Sequence, residues 1–267
     1  SLTIPFTKLV ATGNDFVLID AIRYPIGRLR GQWPRVARAL CDRQAVGADG
    51  LLVLAPSKRA DVRMRIFNPD GSEPSMCGNG NRCLTLYAAR RGLGRKRLAV
   101  QTAAGMKRGE MTGARRVRIA MGAPTFLACL PRFPLGDGRR VHADVVDSGV
   151  PHLVCWVDHV STVNVSRLGR HLRSHRRFRP HGTNVDFVQW VGASGRRAAD
   201  HGRLKMRTYE RGVEGETRAC GTGAVAAAVA YAHRIMPQGR GKRRFVVDVR
   251  VPGGALRVEL TARPTAG

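Results

Sequence analysis

One short motif occurs twice in this chain, and it limits the folds that the chain can adopt. The segment Cys77–Gly80 reads C-G-N-G, and 143 residues later Cys220–Gly223 reads C-G-T-G, in a chain of 267 residues. Each cysteine has a glutamate four residues before it, Glu73 or Glu216, and each motif leads into a run typical of a helix. This repetition predicts a duplicated fold with one cysteine at a helix start in each half.

The two halves also repeat one order of predicted elements: strands, an amphipathic helix, strands, the motif helix and strands. The amphipathic helices are predicted at Trp33–Arg43 and Val165–Arg176, and the motif helices begin at the two cysteines. The run Ala224–Tyr231 is apolar around its whole circumference, so it should be buried on all sides. A curved sheet that encloses this helix is the simplest arrangement.

These patterns predict an α+β protein of two pseudo-symmetric domains, each a curved and mostly antiparallel sheet wrapped around a central helix. We place the domains at residues 1–124, which carry Cys77, and 125–267, which carry Cys220. The segment 131–140, rich in Pro, Gly and Arg, is interpreted as the connector. The last residues of the chain are expected to pack on the first domain.

Composition excludes several classes of protein. A chain with 43% hydrophobic and 24% charged residues is typical of a folded globular protein. No apolar run approaches the roughly 20 residues of a membrane span, and the N-terminus lacks a signal-peptide pattern, so we expect a cytoplasmic protein without a membrane partner. The six cysteines are then expected to be free thiols. None of them has zinc-site spacing, so no metal is expected.

The formal charge of +27 is the unusual value in the composition. Such a surplus attracts polyanions, including nucleic acid. Aromatic residues make up only 6% of the chain, and no basic run is interleaved with aromatic side chains as a stacking platform would be. We interpret the charge as an arginine-rich solvated surface and expect no specific nucleic-acid partner.

The paired motif suggests a chemistry for the two thiols. A helix N-terminus in a partly buried setting can stabilise a thiolate by up to about 2 kcal/mol, enough to lower a thiol pKa by roughly 1.5 units. Backbone amides at the same helix starts, those of Gly78, Asn79, Gly221 and Thr222, can hold a substrate carboxylate. If one thiolate removes a proton from a carbon and the opposite thiol returns one to the other face, the centre inverts.

Three other interpretations of the motif compete with this one. A single cysteine is more often a small buried hydrophobic residue. Residues 221–226 match a G-x-G-x-x-A dinucleotide fingerprint, but a polar, Gly-rich loop precedes them where the fingerprint needs a strand. A Cys–His hydrolase could pair His152 with one cysteine, which would leave the other cysteine unexplained.

Two longer segments resemble the active-site signatures of one known family. Phe67–Cys83 closely resembles the first signature of the diaminopimelate epimerases, and Tyr209–Ala224 is similar to the second. Shorter segments at 12–16, 47–50 and 182–185 fall in family order. The resemblance implies an isomerase that interconverts LL- and meso-2,6-diaminopimelate, a step toward lysine and peptidoglycan. It also implies two cysteine bases, no pyridoxal phosphate or other cofactor, and a cleft between the halves that closes on the substrate.

The resemblance assigns roles to individual residues as well. Cys77 and Cys220 would be the acid and base, with His152 and Glu210 assisting. The remaining residues would bind the substrate carboxylates and amino groups: Asn14, Asn68, Gly78, Asn79, Asn184, Glu210, Arg211, Gly221 and Thr222. Turn formation is the competing interpretation for Asn68 and Asn184, and a surface ion pair is the competing interpretation for Glu210 and Arg211.

The chain departs from the family pattern in four places. Val150 replaces a substrate-binding asparagine, Glu214 is an extra residue before Cys220, and Gly50 has no side chain where some members place a polar ligand. The segment that ends at Gly267 lacks the final strand that supports the family homodimer, so a homodimer is left open. A racemase of another amino acid, such as histidine, is the nearest alternative function, and a non-catalytic nucleic-acid-binding protein is the more distant one.

Overall fold

A computed structural model describes residues 3–24, 27–29, 31–94, 96–193, 200–236 and 241–263. The chain divides into two compact units, Ser1–Ala120 and Met121–Gly267. Each unit contains one large sheet and two α-helices. Within the described residues, no helix has the length and apolar character needed to cross a membrane. The last residues, 264–267, which were expected to pack on the first domain, lie outside the described part of the chain.

The first unit is a seven-stranded sheet in the order β1-β2-β3-β4-β5-β6-β7. Its strands are β1 Thr7–Ala11, β2 Asn14–Asp20, β3 Gly50–Ala55, β4 Val62–Phe67, β5 Arg97–Thr102, β6 Gly105–Gly113 and β7 Arg116–Ile119. The helices are α1 Trp33–Cys41 and α2 Gly78–Arg90. Helix α1 connects β2 to β3 and α2 connects β4 to β5, and these two pairs are parallel. The other pairs are antiparallel.

The second unit is an eight-stranded sheet in the order β15-β14-β12-β11-β10-β9-β8, with β13 paired to β12. Its strands are β8 Thr125–Pro134, β9 Arg140–Asp147, β10 Pro151–Trp156, β11 Asn184–Ala193, β12 His201–Glu210, β13 Gly215–Thr217, β14 Arg243–Val251 and β15 Gly254–Ala262. The helices are α3 Val165–Arg173 and α4 Gly221–Ile235. The pairs β10–β11 and β12–β14 are parallel, and the others are antiparallel.

Both units follow one plan: hairpin, helix, hairpin, motif helix, hairpin. The parallel pairing joins Phe16 to Gly50 in the first unit and His152 to Asn184 in the second. Gly50 and Asn184 are therefore equivalent positions, and two residues further along β3 and β11 Leu52 is the equivalent of Asp186. The predicted α+β class, with its internal duplication, is confirmed.

The motif helices occupy the centre of each sheet. Helix α2 contacts all seven strands of the first sheet, and α4 contacts the seven strands that form the continuous order of the second. A flat sheet of seven strands would be about 29 Å wide, against about 10 Å for a helix, so each sheet must curve around its helix. The ten consecutive residues Gly223–Ala232 of α4 are buried, which confirms the prediction of burial on all sides.

The amphipathic helices pack on the opposite face of each sheet. Helix α1 buries Trp33, Ala37 and Cys41 at i, i+4, i+8 against β3 and β4. Helix α3 packs on β11 and β12, and its N-cap Asn164 accepts a hydrogen bond from the Arg167 amide. Each sheet therefore has a hydrophobic core on both faces.

The predicted connector at 131–140 is wrong, because this segment lies inside the second unit, well after the division between Ala120 and Met121. Residues 131–134 continue β8, which is an edge strand, so the prolines Pro131 and Pro134 can be accommodated without breaking a central ladder. The register of β8 shifts between Leu130 and Phe133, which marks a bulge beside the first proline. No disulfide joins any of the six cysteines, all of which lie in the described part of the chain.

Candidate active site

Both motif cysteines are the N-cap residues of the helices that follow them. Cys77 has φ −139° and ψ 120°, and Cys220 has φ −111° and ψ 112°, the extended backbone typical of an N-cap. The Sγ atom of Cys77 accepts a hydrogen bond from the Gly80 amide at 3.4 Å. The Sγ atom of Cys220 accepts one from the Gly223 amide at 3.3 Å. Each sulfur thus lies at the positive end of a helix dipole, as the sequence predicts.

The amides of Gly78, Asn79, Gly221 and Thr222 belong to the first turns of α2 and α4. N–H groups in a first turn point out of the helix N-terminus, where they can bind an anion. The Thr222 hydroxyl lies 3.3 Å from Cys220 Sγ, and the Thr222 carbonyl accepts a hydrogen bond from Ser148 Oγ at 3.0 Å. Each helix start therefore combines a thiol with an anion-binding turn.

A bidentate ion pair holds the loop before each cysteine. Glu73 accepts hydrogen bonds from Arg65 at 2.8 and 2.7 Å, and Glu216 accepts them from Arg207 at 2.7 and 2.8 Å. Arg65 and Arg207 occupy equivalent positions on β4 and β12. The repeated glutamates therefore connect each cysteine-bearing loop to the neighbouring hairpin. We call these pairs the Arg–Glu clamps.

The sheet beneath the first turn of α2 is apolar. A Cβ atom on Gly80 would lie 2.9 Å from Leu52 Cδ2 and 3.2 Å from Ile66 Cδ1, so only a glycine packs here without displacing them. Above this surface, Arg82 donates hydrogen bonds to Asn79 Oδ1 and to Thr12 Oγ1, the latter at 2.9 Å. Arg82 thus connects the β1–β2 turn to the first turn of α2.

The sheet beneath the first turn of α4 is polar. His152 Nδ1 lies 2.7 Å from Asp186 Oδ2, and Thr208 Oγ1 donates a hydrogen bond of 2.7 Å to Asp186 Oδ1. All three side chains are buried. A Cβ atom on Gly223 would lie 2.5 Å from Asp186 Oδ1, so this carboxylate lies directly against the turn that carries Cys220.

Glu210 is a half-buried residue whose carboxyl group lies beside Cys220. Burial raises the pKa of Glu210, although a hydrogen bond from Thr217 Oγ1 to Oε1 acts in the opposite direction. Burial also raises the pKa of Cys220 well above its usual range, followed by the negative charges of Glu210 and Asp186. This direction of the Cys220 pKa is opposite to the lowering expected at a helix start, because burial and the two carboxylates outweigh the hydrogen bonds from the Thr222 hydroxyl and the Gly223 amide.

The predicted substrate-binding asparagines already make hydrogen bonds within the protein. Asn14 Nδ2 donates to Asp49 Oδ2 at 3.3 Å, and Asn68 Nδ2 donates to Ser72 Oγ at 2.9 Å. In the second unit, Asn184 Nδ2 donates to the Pro151 carbonyl at 3.0 Å. These contacts fix the side-chain orientations while leaving the second amide hydrogen of each group available.

Arg211 lies beside Asn184 in the second unit. Its backbone amide donates to Asn184 Oδ1 at 2.9 Å. Its Nη1 atom donates to the carbonyls of His181 and Gly182, each at 3.3 Å. Among the described residues it makes no carboxylate pair, in contrast to the surface ion pair that was the competing interpretation. A guanidinium held by carbonyls keeps donors for an external carboxylate.

Two departures from the family pattern have structural explanations. The extra residue Glu214 adopts φ +55° and binds Arg173 at the end of α3, at 2.9 and 3.1 Å from Nε, so it braces the loop before Cys220. At Gly50 a Cβ atom would lie 3.1 Å from the Phe67 carbonyl and 3.3 Å from the Phe16 ring, so a side chain here would require these neighbours to shift slightly.

Sequence reasoning missed four residues that lie near the two helix starts: Arg82 in the first unit, and Asp186, Thr208 and Thr217 in the second. Asp186 carried a usable signal, since it is the acidic residue of a mostly apolar strand and such a residue needs a partner when it is buried. Arg82 and Thr217 lie inside the two signature segments, but their partners become evident only once the chain is folded.

Comparisons with known proteins agree with the sequence resemblance. The family model for diaminopimelate epimerase matches residues 6–127 and 145–265. A diaminopimelate epimerase of Archaeoglobus fulgidus is 41% identical, over 97% of this chain and 90% of that protein. One of Desulforudis audaxviator is 43% identical over 95% and 90%, and one of Synechocystis is 37% identical over 98% and 93%.

Similar solved structures show the same fold in more distant proteins. A PhzF-family phenazine biosynthesis protein of Bacillus anthracis has a TM-score of 0.65 at 17% identity, covering 97% of this chain and 89% of that chain. A probable proline racemase of Agrobacterium radiobacter K84 has a TM-score of 0.61 at 16% identity, covering 98% and 90%. The close relatives favour an epimerase of diaminopimelate over a racemase of histidine or a nucleic-acid-binding protein.

Proposed function

The chain belongs to the diaminopimelate epimerase family, and we propose on this premise that it interconverts LL- and meso-2,6-diaminopimelate by proton transfer at Cα. The reaction would proceed without pyridoxal phosphate, in the cytoplasm, on the route to lysine and peptidoglycan precursors. The observation that carries the proposal is the pair of N-cap cysteines, each on a buried central helix, within a chain about two-fifths identical to named epimerases.

In this scheme one cysteine acts as a thiolate and the other as a thiol. The thiolate takes the Cα proton from one face of the substrate, and the thiol gives its proton to the opposite face. After each turnover the two sulfurs have exchanged protonation states, so the next turnover can run in the reverse direction. Cys77 and Cys220 have matching N-cap geometry, which suits groups that exchange roles.

The first turns of α2 and α4 would stabilise the carboxylate at the reacting carbon. A carbanion at Cα places negative charge on that carboxylate, and amides at two helix starts oppose the charge without reorganising. Gly78 and Gly221 allow close approach, since neither has a side chain. Asn79 and Thr222 would supply the second amide of each turn.

The distal end of diaminopimelate is itself an amino acid, so it needs an anion-binding group and acceptors for an ammonium. Arg211 would bind the distal carboxylate through its fork of N–H donors. Asn14, Asn68 and Asn184 have amide groups that suit either charge. Glu210 would accept from an ammonium beside Cys220, with His152 assisting.

Isotope exchange tests the proposed reaction directly. LL-diaminopimelate is incubated with the protein in heavy water without pyridoxal phosphate, and deuterium at Cα is followed together with the isomer formed. We expect deuterium in the meso product. A panel containing histidine, proline and glutamate checks the substrate, because Val150 replaces an asparagine of the family. Exchange with histidine but not diaminopimelate would contradict the proposal, as would no exchange at all.

Cysteine variants test the two-base scheme. Cys77→Ala and Cys220→Ala should each reduce turnover by at least about 10³-fold, since either change leaves one face of the carbon without its acid or base. Cys41→Ala on α1 is the matched control, because Cys41 packs on the other face of the first sheet. Full activity in either motif variant would rule out the scheme.

A further inference from the structure

A three-residue polar cluster replaces apolar residues in the second unit. His152, Asp186 and Thr208 occupy the register positions that Phe16, Leu52 and Ile66 occupy in the first. All six side chains are buried. Burying polar groups costs free energy unless they are hydrogen-bonded to one another. Three such replacements at adjacent positions therefore indicate a single hydrogen-bonded cluster with a shared role.

The hydrogen bonds of this cluster define the state of His152. A carboxylate only accepts hydrogen bonds, so with Thr208 donating to Oδ1, the 2.7 Å contact at Oδ2 places a proton on His152 Nδ1. In the neutral ring Nε2 then carries the lone pair. Within the described residues Nε2 is buried and has no hydrogen-bond partner. Leaving a buried acceptor unpaired costs free energy, so this lone pair is available to a group outside the folded protein's own contacts.

We propose that Asp186 and Thr208 are positioning residues that hold His152 with Nδ1 protonated. The Nε2 lone pair of His152 then serves as the proton acceptor of the Cys220 half-site, which consists of Cys220 and the first turn of α4. This deepens the proposed function and rests on it. Asp186 lies against the Gly223 turn that Cys220 caps, and its other oxygen lies 2.7 Å from His152 Nδ1. In the first unit Phe16 occupies the position equivalent to His152, and Leu52 occupies the position equivalent to Asp186, so the described residues place no such acceptor there.

Nitrogen-15 NMR of the histidine rings tests the proposal without depending on catalysis. The protein is labelled with ¹⁵N-histidine, and the His152 signals are assigned from a His152→Gln sample. We expect the Nδ1–H tautomer in the unaltered protein and a mixture in Asp186→Asn, whose amide can either donate or accept. Turnover of Asp186→Asn should fall about 10–100-fold with KM changed by less than about twofold, as for other groups that orient a reactive ligand.

Thr208→Val provides a second variant in case Asp186→Asn does not fold. In this variant the Nδ1–H tautomer of His152 should be partly retained, and turnover should fall less than in Asp186→Asn. Ile66→Val at the equivalent position of the first unit is the matched control and should alter neither quantity. The Nε2–H tautomer in the unaltered protein would overturn the proposal, as would turnover that is unchanged when the tautomer changes. Absence of epimerase activity in the unaltered protein would instead refute the proposed function, while the tautomer would still be measured.

A second inference comes from a separate cluster on β8 and β9. Cys129 on β8 pairs in register with Asp144 on β9, and His142 lies two residues before Asp144 on the same face. His142 Nε2 lies 3.3 Å from Cys129 Sγ and 3.2 Å from Asp144 Oδ1. The three donor atoms all lie within 4.8 Å of one another. Sequence spacing could not reveal this cluster, because the strand pairing brings its members together.

The donor types and their separations fit a transition-metal ion. Thiolate, imidazole and carboxylate bind zinc at about 2.0–2.3 Å, which sets neighbouring donors of a tetrahedron roughly 3.3–3.7 Å apart. His142 Nε2 can direct only one hydrogen or one lone pair, yet it faces both a sulfur and a carboxylate oxygen. A cation bound to all three atoms would resolve this conflict.

Some groups around Asp144 favour the binding of a cation, and one opposes it. Trp156 Nε1 donates a 2.6 Å hydrogen bond to Oδ2, which orients Oδ1 toward His142 as an outer-shell partner would. Arg234 Nη1 lies 3.9 Å from the same Oδ2 and opposes a bound cation. Binding would release the Cys129 proton, so neutralisation of the thiolate and Asp144 charges by the metal offsets that repulsion.

The geometry points to a three-ligand site for Zn²⁺ or a similar divalent ion at Cys129, His142 and Asp144, with a fourth position open to solvent through exposed Cys129. Titration of the full chain with Co²⁺ tests it. We expect one equivalent bound with a sulfur-to-cobalt charge-transfer band. Cys129→Ser should lose the band and weaken binding about 10–100-fold, while Cys77→Ser should keep it. No band in the unaltered protein, or a band that survives Cys129→Ser, would overturn the site.

Discussion

The two cysteine sites share their N-cap and ion-pair geometry, but the sheet residues beneath the two helices differ. Both sulfurs cap a central helix, and both loops are held by an Arg–Glu clamp of nearly the same geometry. Under α2 the sheet presents Leu52 and Ile66, whereas under α4 it presents Asp186 and Thr208. The comparison suggests that duplication preserved the means of positioning a thiol, while the local electrostatics of the halves diverged.

The largest change in the free energy of unfolding is expected when the residues beneath the two helices are exchanged. Leu52→Asp buries an unpaired carboxyl and should lower the free energy of unfolding by about 3–5 kcal/mol. Asp186→Leu leaves two buried donors unpaired, the imidazole N–H and the threonine hydroxyl, and should cost about 1–3 kcal/mol. Urea denaturation measures both. The triple variant that combines Phe16→His, Leu52→Asp and Ile66→Thr should recover part of the first loss. Equal losses in the two single variants would contradict the difference that we infer.

A smaller effect is expected at the two glycines that touch these surfaces. In Gly80→Ala the new methyl group meets the flexible ends of Leu52 and Ile66, so the cost should be below about 1 kcal/mol. In Gly223→Ala it meets the hydrogen-bonded Asp186 carboxylate, and the cost should be about 1–3 kcal/mol. Thermal unfolding of both variants compares them, and a larger loss in Gly80→Ala would reverse our interpretation of the two surfaces.

Weakening either Arg–Glu clamp should reduce turnover by a similar factor, because the two units share this feature. Glu73→Gln and Glu216→Gln each weaken one bidentate pair, and each should reduce turnover roughly tenfold, which corresponds to about 1.4 kcal/mol. The paired substitution Arg207→Glu with Glu216→Arg should restore part of the activity. Steady-state rates measure both effects, and a loss confined to one half would show that the clamps are not equivalent.

The smallest effects concern pH, and they should have opposite signs in the two units. Burial acts to raise the pKa of Asp15, but hydrogen bonds from Lys8 and Arg43 outweigh it and lower that pKa to about 2. A lowered carboxyl pKa stabilises the fold above the unfolded value of 3.8, and this contribution is lost as the pH falls toward 2. Asp15→Asn should therefore remove part of the acid sensitivity.

Glu210 in the second unit should behave in the opposite way. Burial raises its pKa above 4.5, so its contribution is present below that pH and is lost as the pH rises through the folded-state value. Glu210→Gln should therefore make the protein more stable near neutral pH while it impairs catalysis. Urea midpoints measured between roughly pH 2 and pH 8 check both variants. Destabilisation of Glu210→Gln at neutral pH would contradict the assigned direction.

Much of the fold could be predicted because its signals are local. The apolar circumference of α4 predicted a buried helix, and the i, i+4 pattern of α1 predicted an amphipathic one. Strand β6 carries no comparable local signal. Strand β6 reads G-M-K-R-G-E-M-T-G, and its pairing to β5 and β7 rather than any hydrophobic alternation makes it a strand. Strand β8 was not predicted, and its residues 131–134 were interpreted as part of a connector, because prolines rarely indicate a strand although they are tolerated at a sheet edge.

The amino-acid sequence by itself determined the duplication, the family and the two helix-capping cysteines, because motif spacing and helical periodicity are properties of neighbouring residues. Only the tertiary structure decided what surrounds each thiol. Asp186 reaches Cys220 through parallel pairing and the close approach of Gly223, and Arg207 reaches Glu216 across a hairpin. Hydrogen bonds and desolvation depend on which residues meet in space, so the protonation chemistry of the two half-sites follows from the folded chain.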